Sequence, residues 1–181
     1  MVHDRDLLDR LSAFEPIRFT GEVFRATRRG LDSLAASLSG GRWMLPNERP
    51  TLYTSMERDG ALAEISYHWS QLTPLPSKPA AIHRIQLSTN KSLRLVRAEL
   101  IDLGVDWDRY GEPNYKRTQE IGAAIAHLDC DGLIAPSARW PCDNVMLFLT
   151  NHVGDDDISV LLESVEVDWL IWSQDHSKGA I

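Results

Sequence analysis

The spacing of hydrophobic and polar residues changes several times in the first half of the chain. Leu7, Leu8 and Leu11 recur at helical spacing among charged residues, which is typical of a short amphipathic helix. Alternation of polar residues with β-branched and aromatic ones follows, which is typical of strands. The elements predicted here are a helix over 3–13, strands over 17–27, 41–44 and 51–55, and a helix over about 58–72.

The second half of the pattern predicts mainly strands, with one helix between them. Residues 80–88 and 91–96 predict two strands of a hairpin that turns at 89–91. A helical period then places Ile121, Ala124, Ile125 and Leu128 on one face. The remaining predictions are a helix over about 113–128, strands over 132–137 and 144–150, a solvated turn over 154–159, and a C-terminal strand region over 158–172 with a polar tail.

The order of these elements predicts the fold class. Strands occur in clusters rather than in strict alternation with helices, which favours an α+β domain over a doubly wound sheet. No break in composition marks a second domain, so residues 1–181 are predicted to form one domain.

Charge and composition exclude several classes of function. A net charge of -7 argues against an open phosphate-binding surface, because nucleic-acid binders need clustered Lys and Arg. No run of about eighteen apolar residues could span a membrane, and the charged N-terminus lacks the apolar core of a signal peptide. Two cysteines, Cys130 and Cys142, are too few for a disulfide framework, so we expect reduced thiols in the cytoplasm. The six histidines do not have the spacing of metal ligands, so no metal is expected.

Four short stretches carry residues that are suited to chemistry. Arg25 lies in the first predicted strand, and paired glycines precede Arg42. Glu64 lies in the most apolar turn of a predicted helix, one turn before His68, and Tyr53 lies in the strand before that helix. Ser137 and Asn144 lie at the ends of two apolar strands.

Each of these residues also has an ordinary structural interpretation. Arg25 could reach water from an edge strand, and the paired glycines could form a simple turn beside a core tryptophan. Glu64 could lie on the solvated flank of its helix, and Ser137 could cap a turn.

Taken together, the same residues suit one ligand, NAD+. A guanidinium fork matches a pyrophosphate, and a tyrosine ring can stack on a heteroaromatic ring. A carboxylate near a sugar can stabilise the positive charge that grows as a glycosidic bond breaks. Nicotinamide leaves NAD+ as a neutral molecule and needs no acid to protonate it, so a single carboxylate suffices.

The motifs that contain these residues also resemble a known family. In this order and spacing, "VFRATRRG", "GGRW", "LYTS", "ALAEI" and "GLIAPSAR…NVMLF" are similar to the RES domain, which is named for an Arg, a Glu and a Ser. The similarity runs from about residue 20 to residue 150. By position, it implies that the catalytic residues are Arg25, Glu64 and Ser137, and that Arg42, Tyr53, His68 and Asn144 bind NAD+.

The resemblance also implies a fold and a biological role. The fold would be like that of ADP-ribosyltransferase toxins, with mixed, mostly antiparallel sheets flanked by helices. Members of the family are typically toxins of type II toxin–antitoxin modules, and a helix-turn-helix (Xre-type) antitoxin blocks the cleft.

Three functions remain open at this stage. The protein could cleave the nicotinamide–ribose bond of NAD+ and pass ADP-ribose to phosphate or water. It could instead transfer ADP-ribose to a host protein. It could also be a non-catalytic module that binds a nucleotide or a protein partner.

Overall fold

The computed structural model describes residues 4–152 and 159–176. Most of the turn predicted at 154–159, together with the end of the polar tail, lies outside the described residues. Among the described residues, no helix has the length and apolar character needed to cross a membrane.

The described residues form one six-stranded sheet in the order β1-β2-β5-β4-β3-β6, in which β1 also pairs with β3. All pairings are antiparallel except the parallel pairing of β3 with β4. The strands are β1 (Ile17–Arg28), β2 (Thr51–Ser55), β3 (Ala80–Arg94), β4 (Gly132–Pro136), β5 (Asp143–Phe148) and β6 (Ser159–Val167). The predicted α+β class, with mixed and mostly antiparallel pairing, is confirmed.

The predicted helices over 3–13, 58–72 and 113–128 are present, although residue 3 lies outside the described residues. Two further helices, over 97–102 and 169–176, were not predicted. The last of the three begins at Lys116 rather than at 113. The described helices are α1 (Arg5–Ser12), α2 (Arg58–Ser70), α3 (Arg97–Asp102), α4 (Lys116–His127) and α5 (Trp169–His176), with a 3-10 turn at Leu149–Asn151.

Three strand predictions are wrong in detail. Residues 41–44 form a tight turn closed by a single bridge between Gly41 and Met44, not a strand. Residues 80–94 form one continuous strand rather than a hairpin, because Thr89, at the predicted turn, pairs with Phe19 of β1. The C-terminal strand ends at Val167, because the Asp168 side chain accepts backbone hydrogen bonds that begin α5.

Alternation along β5 sends its side chains into two different hydrophobic clusters, one on each face of the strand. Val145 and Leu147 of β5 face a cluster formed by side chains of β1 to β5. Met146 and Phe148 of the same strand face the opposite cluster, to which α1 and α4 contribute. The helix α2 packs across β1 and β3, through Leu62 among others.

Candidate active site

A cavity of about 420 Å³ lies between α2, β1, β2 and the segment 39–43, which leads into the turn at 41–44. The predicted site residues that border it are Arg25, Arg42, Tyr53, Glu64, His68 and Asn144. Ser137 does not border it but contacts Glu64 directly. The fold therefore brings together all seven residues that the sequence singled out.

Glu64 is half-buried on α2, and its carboxylate is held by two donors from the β4–β5 hairpin. Its Oε1 atom accepts a hydrogen bond from Ser137 Oγ at 2.9 Å and another from Asn144 Nδ2 at 3.1 Å. Both bonds fall on the same oxygen, which leaves Oε2 for a ligand. The apolar neighbours Ala61 and Ile65 are buried against the sheet, so the carboxylate is drawn toward these donors rather than into water.

The hairpin between β4 and β5 places the two donors side by side. In the register of this pair, Ala135 lies opposite Asn144. The turn beyond it is closed by a hydrogen bond from the Ser137 backbone to Cys142 O at 2.8 Å. Ser137 Oγ also accepts a bond from the backbone N–H of Arg139 at 3.1 Å, which fixes the direction in which the hydroxyl donates.

Arg25 lies in a strand that is paired on both sides, so the edge-strand interpretation is wrong. Its Nη1 atom donates to Ser33 O at 2.8 Å and to Ala35 O at 2.7 Å. Burial lowers the pKa of Arg25, and the nearby Asp32 carboxylate opposes this effect. Arginine nevertheless stays protonated in proteins, so Arg25 brings a positive charge to the cavity. Its two hydrogen bonds also hold the 33–35 loop in place.

Arg42 is held between two tyrosine rings beside the turn. Its Cζ atom lies 4.6 Å from the ring centroids of both Tyr110 and Tyr115. Its Nη1 atom donates to the Tyr110 carbonyl at 2.6 Å. Gly40 makes the turn possible, because its φ of 76° is unfavourable for other residues and a Cβ there would lie 2.7 Å from Pro46 N. The guanidinium is therefore fixed in orientation at the wall of the cavity.

Tyr53 and His68 border the cavity as uncharged groups at neutral pH. The Tyr53 ring packs against Gly41, where a Cβ would lie 2.9 Å from the hydroxyl. Burial raises the pKa of Tyr53, so the phenol stays protonated. Partial burial lowers the pKa of His68, and the nearby Glu64 carboxylate opposes this effect.

The sequence did not single out two residues that the site uses. Tyr115 borders the cavity and covers one face of Arg42, but in the sequence it was only part of the first turn of the helix predicted over 113–128. Arg139 lies with its Cζ atom 3.3 Å from the ring centroid of Tyr67 on α2. Arg139 could have been found from the sequence, because it follows the predicted site residue Ser137 by only two positions.

An arginine from the first strand, a glutamate from the helix after the second strand and a serine at a strand end come together around one cavity of an ADP-ribosyltransferase-like fold. The chain belongs to the RES-domain family, whose model matches residues 17–170. It is also similar to a chain in the crystal structure of the M. tuberculosis MbcT–MbcA toxin–antitoxin complex. That match has a TM-score of 0.81 and 18% sequence identity, and it covers 94% of this chain and 97% of the other. A search of the curated proteins found no significant match.

Proposed function

We propose that this protein is the toxin of a toxin–antitoxin module and that it cleaves the nicotinamide–ribose bond of NAD+. The observation that carries the proposal is the Glu64 carboxylate, which Ser137 and Asn144 hold at the wall of a cavity that two guanidinium groups also border. A carboxylate with one free oxygen suits a sugar carbon that becomes positive. Two fixed positive charges suit a pyrophosphate.

The reaction needs few groups from the protein. The bond between the ribose anomeric carbon and the pyridinium nitrogen breaks, and its electron pair stays on the nitrogen, so nicotinamide leaves neutral. Glu64 stabilises the positive charge that develops on the sugar. A phosphate or a water then adds to the anomeric carbon, and addition of water releases one proton. The products are nicotinamide and either phosphorylated or free ADP-ribose.

Nicotinamide release from NAD+ by the purified protein tests this proposal, with and without inorganic phosphate. We expect release by the natural protein and a loss of at least about 100-fold in Glu64→Gln, because the charge on the carboxylate is removed while its shape is kept. Phosphate dependence would separate phosphorolysis from hydrolysis. If NAD+ binds and is not cleaved in either condition, the protein is a binding module and not an enzyme.

Transfer of ADP-ribose to a host protein is a second candidate, which the position of His68 favours. This residue is exposed at the cavity, one helical turn after Glu64, and its lowered pKa keeps the ring neutral. A neutral imidazole there can take a proton from an acceptor that enters from solvent. Labelled NAD+ in a cell lysate distinguishes the two: transfer gives a discrete labelled protein band, and degradation gives free labelled ADP-ribose or its phosphate.

The proposed partner is a helix-turn-helix antitoxin that covers the cavity. Support comes from family membership and from the similarity to a chain of the MbcT–MbcA toxin–antitoxin complex. A gene for a small helix-turn-helix protein next to the gene for this chain would support the pairing. The decisive measurement is whether that protein, when co-purified, abolishes NAD+ cleavage.

A further inference from the structure

A second cavity, of about 360 Å³, lies next to the cavity that contains the candidate active site. Arg42 borders both cavities, and no other described residue does so. Tyr115 borders the first cavity, whereas its two neighbours in sequence, Asn114 and Lys116, border the second. Arg42 and the segment 114–116 therefore lie where the two cavities adjoin.

Arg42 is fixed in orientation at this border and still has donors to offer. Trp107 stacks on Tyr110, with ring centroids 4.5 Å apart, and Tyr110 in turn lies against the Arg42 guanidinium. Arg42 makes one hydrogen bond among the described residues, from Nη1 to the Tyr110 carbonyl, so Nε and Nη2 remain for a ligand. A guanidinium suits phosphate oxygens, because two of its N–H groups can bond them in parallel. A pyrophosphate bound to Arg42 would therefore adjoin both cavities.

The charges at the second cavity suit the adenylate half of a dinucleotide. Lys116 and Asp106 border it, and neither side chain has a hydrogen bond or salt bridge among the described residues. Arg109 and Arg117 also border it, but both are already in salt bridges with acidic neighbours. Lys116 can pair with a phosphate, and Asp106 can accept hydrogen bonds from ribose hydroxyls. A small free anion would be repelled by Asp106 and would fill little of this volume, so a ligand with both phosphate and hydroxyl groups fits better.

We propose that the dinucleotide spans both cavities, with its nicotinamide ribose beside Glu64, its pyrophosphate on Arg42 and its adenylate half in the second cavity. This inference rests on the proposed function. Contacts to the adenylate half lie far from the bond that breaks, and an enzyme can use such remote binding energy to position the reacting groups. A mononucleotide without that half should therefore be a poor substrate.

The test compares NAD+ with nicotinamide mononucleotide, which contains the same scissile bond and lacks the adenylate half. We expect kcat/KM of the natural protein for NAD+ to exceed that for the mononucleotide by at least about 100-fold. Lys116→Glu should lower this ratio by about tenfold or more, because it places a negative charge where the adenylate half would bind. Lys78→Glu is the matched control, since Lys78 is also exposed but borders neither cavity, and it should keep the natural ratio. Equal ratios in all three proteins would overturn the inference.

Calorimetric binding of adenosine monophosphate (AMP) tests the second cavity without turnover. AMP should bind Glu64→Gln at least as tightly as the natural protein, because Glu64 borders the other cavity. Its affinity for Lys116→Glu should be lower by about tenfold or more. If Glu64→Gln weakens AMP binding and Lys116→Glu does not, AMP lies in the first cavity and the inference is wrong. It is also wrong if inorganic phosphate displaces AMP at an equal concentration, because the second cavity is then a simple anion site.

These measurements separate this inference from the proposed function. Cleavage of NAD+ with a substrate ratio that Lys116→Glu leaves unaltered overturns the inference, and the proposed function stands. AMP binding that depends on Lys116, without cleavage of NAD+, overturns the proposed function and leaves the second cavity as an adenylate site.

Discussion

At the scale of single residues, the site depends on one carboxylate and the groups that hold it. Glu64 would be costly at its half-buried position if the sheet offered no donors. The Ser137 hydroxyl and the Asn144 amide supply them, and the Arg139 backbone directs the hydroxyl. Ser137 is therefore a positioning residue in this structure, since it touches Glu64 rather than the cavity.

Ser137→Ala should lower kcat for NAD+ cleavage by about 10–100-fold with little change in KM. One of two hydrogen bonds to the carboxylate is lost, which costs roughly 1–3 kcal/mol of positioning. Steady-state kinetics measures the effect. Ser66→Ala is the matched control, because Ser66 is a buried serine of α2 whose hydroxyl has no hydrogen-bond partner among the described residues. A similar loss in the control would contradict the assignment.

Stability should fall as the pH drops below the ordinary histidine value of about 6.5. Burial, together with the nearby charge of Arg25, lowers the pKa of His83, which bonds Thr27 and Ser164. The unfolded chain therefore binds the proton first as the pH falls, which favours unfolding. Partial burial lowers the pKa of His68 in the same direction.

Urea unfolding on either side of that value, around pH 7.5 and around pH 5.5, measures this dependence. The comparison uses His83→Gln, which does not titrate in this range. Its free energy of unfolding should be lower at both pH values, since two hydrogen bonds are changed, but it should fall less between them. An equal fall in both proteins would show that His83 does not contribute.

At the scale of secondary-structure elements, the close approach of α4 to the turn at 41–44 positions Arg42. A Cβ on Gly122 of α4 would overlap the carbonyl oxygen of Trp43, which is only 2% exposed. The helix and the turn can therefore touch only because residue 122 has no side chain. This contact places the neighbouring Arg42 at the wall of the cavity.

Gly122→Ala should destabilise the protein by about 1–3 kcal/mol, as overpacking does. The direction is informative, because the same change in a helix without a close neighbour stabilises it by about 1 kcal/mol. The KM for NAD+ should also rise as Arg42 shifts. Thermal unfolding and kinetics measure both effects. Gly111→Ala serves as the control, since a Cβ there meets only Arg139 Nη1, at 3.4 Å.

An element could be predicted from the sequence where its local pattern agrees with the contacts that it makes in the folded protein. The period of α2 and the alternation of β1 predicted both elements, and Arg25 and Glu64 with them. The error at β3 arose because Asn90 and its neighbours favour a turn locally, whereas pairing with β1 and β4 extends the strand. The hydrogen bonds from Arg25 to the 33–35 loop could not be predicted, because nothing in the local sequence shows which carbonyl groups its side chain contacts.

At the scale of the whole molecule, β6 is the outermost strand of the sheet. It pairs only with β3 in the described sheet, and its side chains are mostly exposed on both faces. Its exposed large apolar residues are Val160, Leu161, Leu162 and Val165. An apolar strand at a sheet edge favours association between copies.

Leu162→Lys should therefore reduce self-association at high protein concentration, because a charge at a sheet edge opposes strand pairing between molecules. Leu162 is 43% exposed, so the change should alter the free energy of unfolding little. Light scattering over a concentration series measures association, and nicotinamide release should be unchanged. Greater scattering by the lysine variant would contradict this prediction.

The separate origins of Glu64 and its donors have a consequence for inhibition. The carboxylate belongs to a helix, whereas Ser137 and Asn144 belong to the hairpin formed by β4 and β5. A molecule that bound elsewhere and shifted α2 away from the hairpin would break both hydrogen bonds to Glu64. It would inactivate the proposed site without occupying the cavity. Such a molecule would act even when the cavity is occupied, whereas a molecule that competes for the cavity would not.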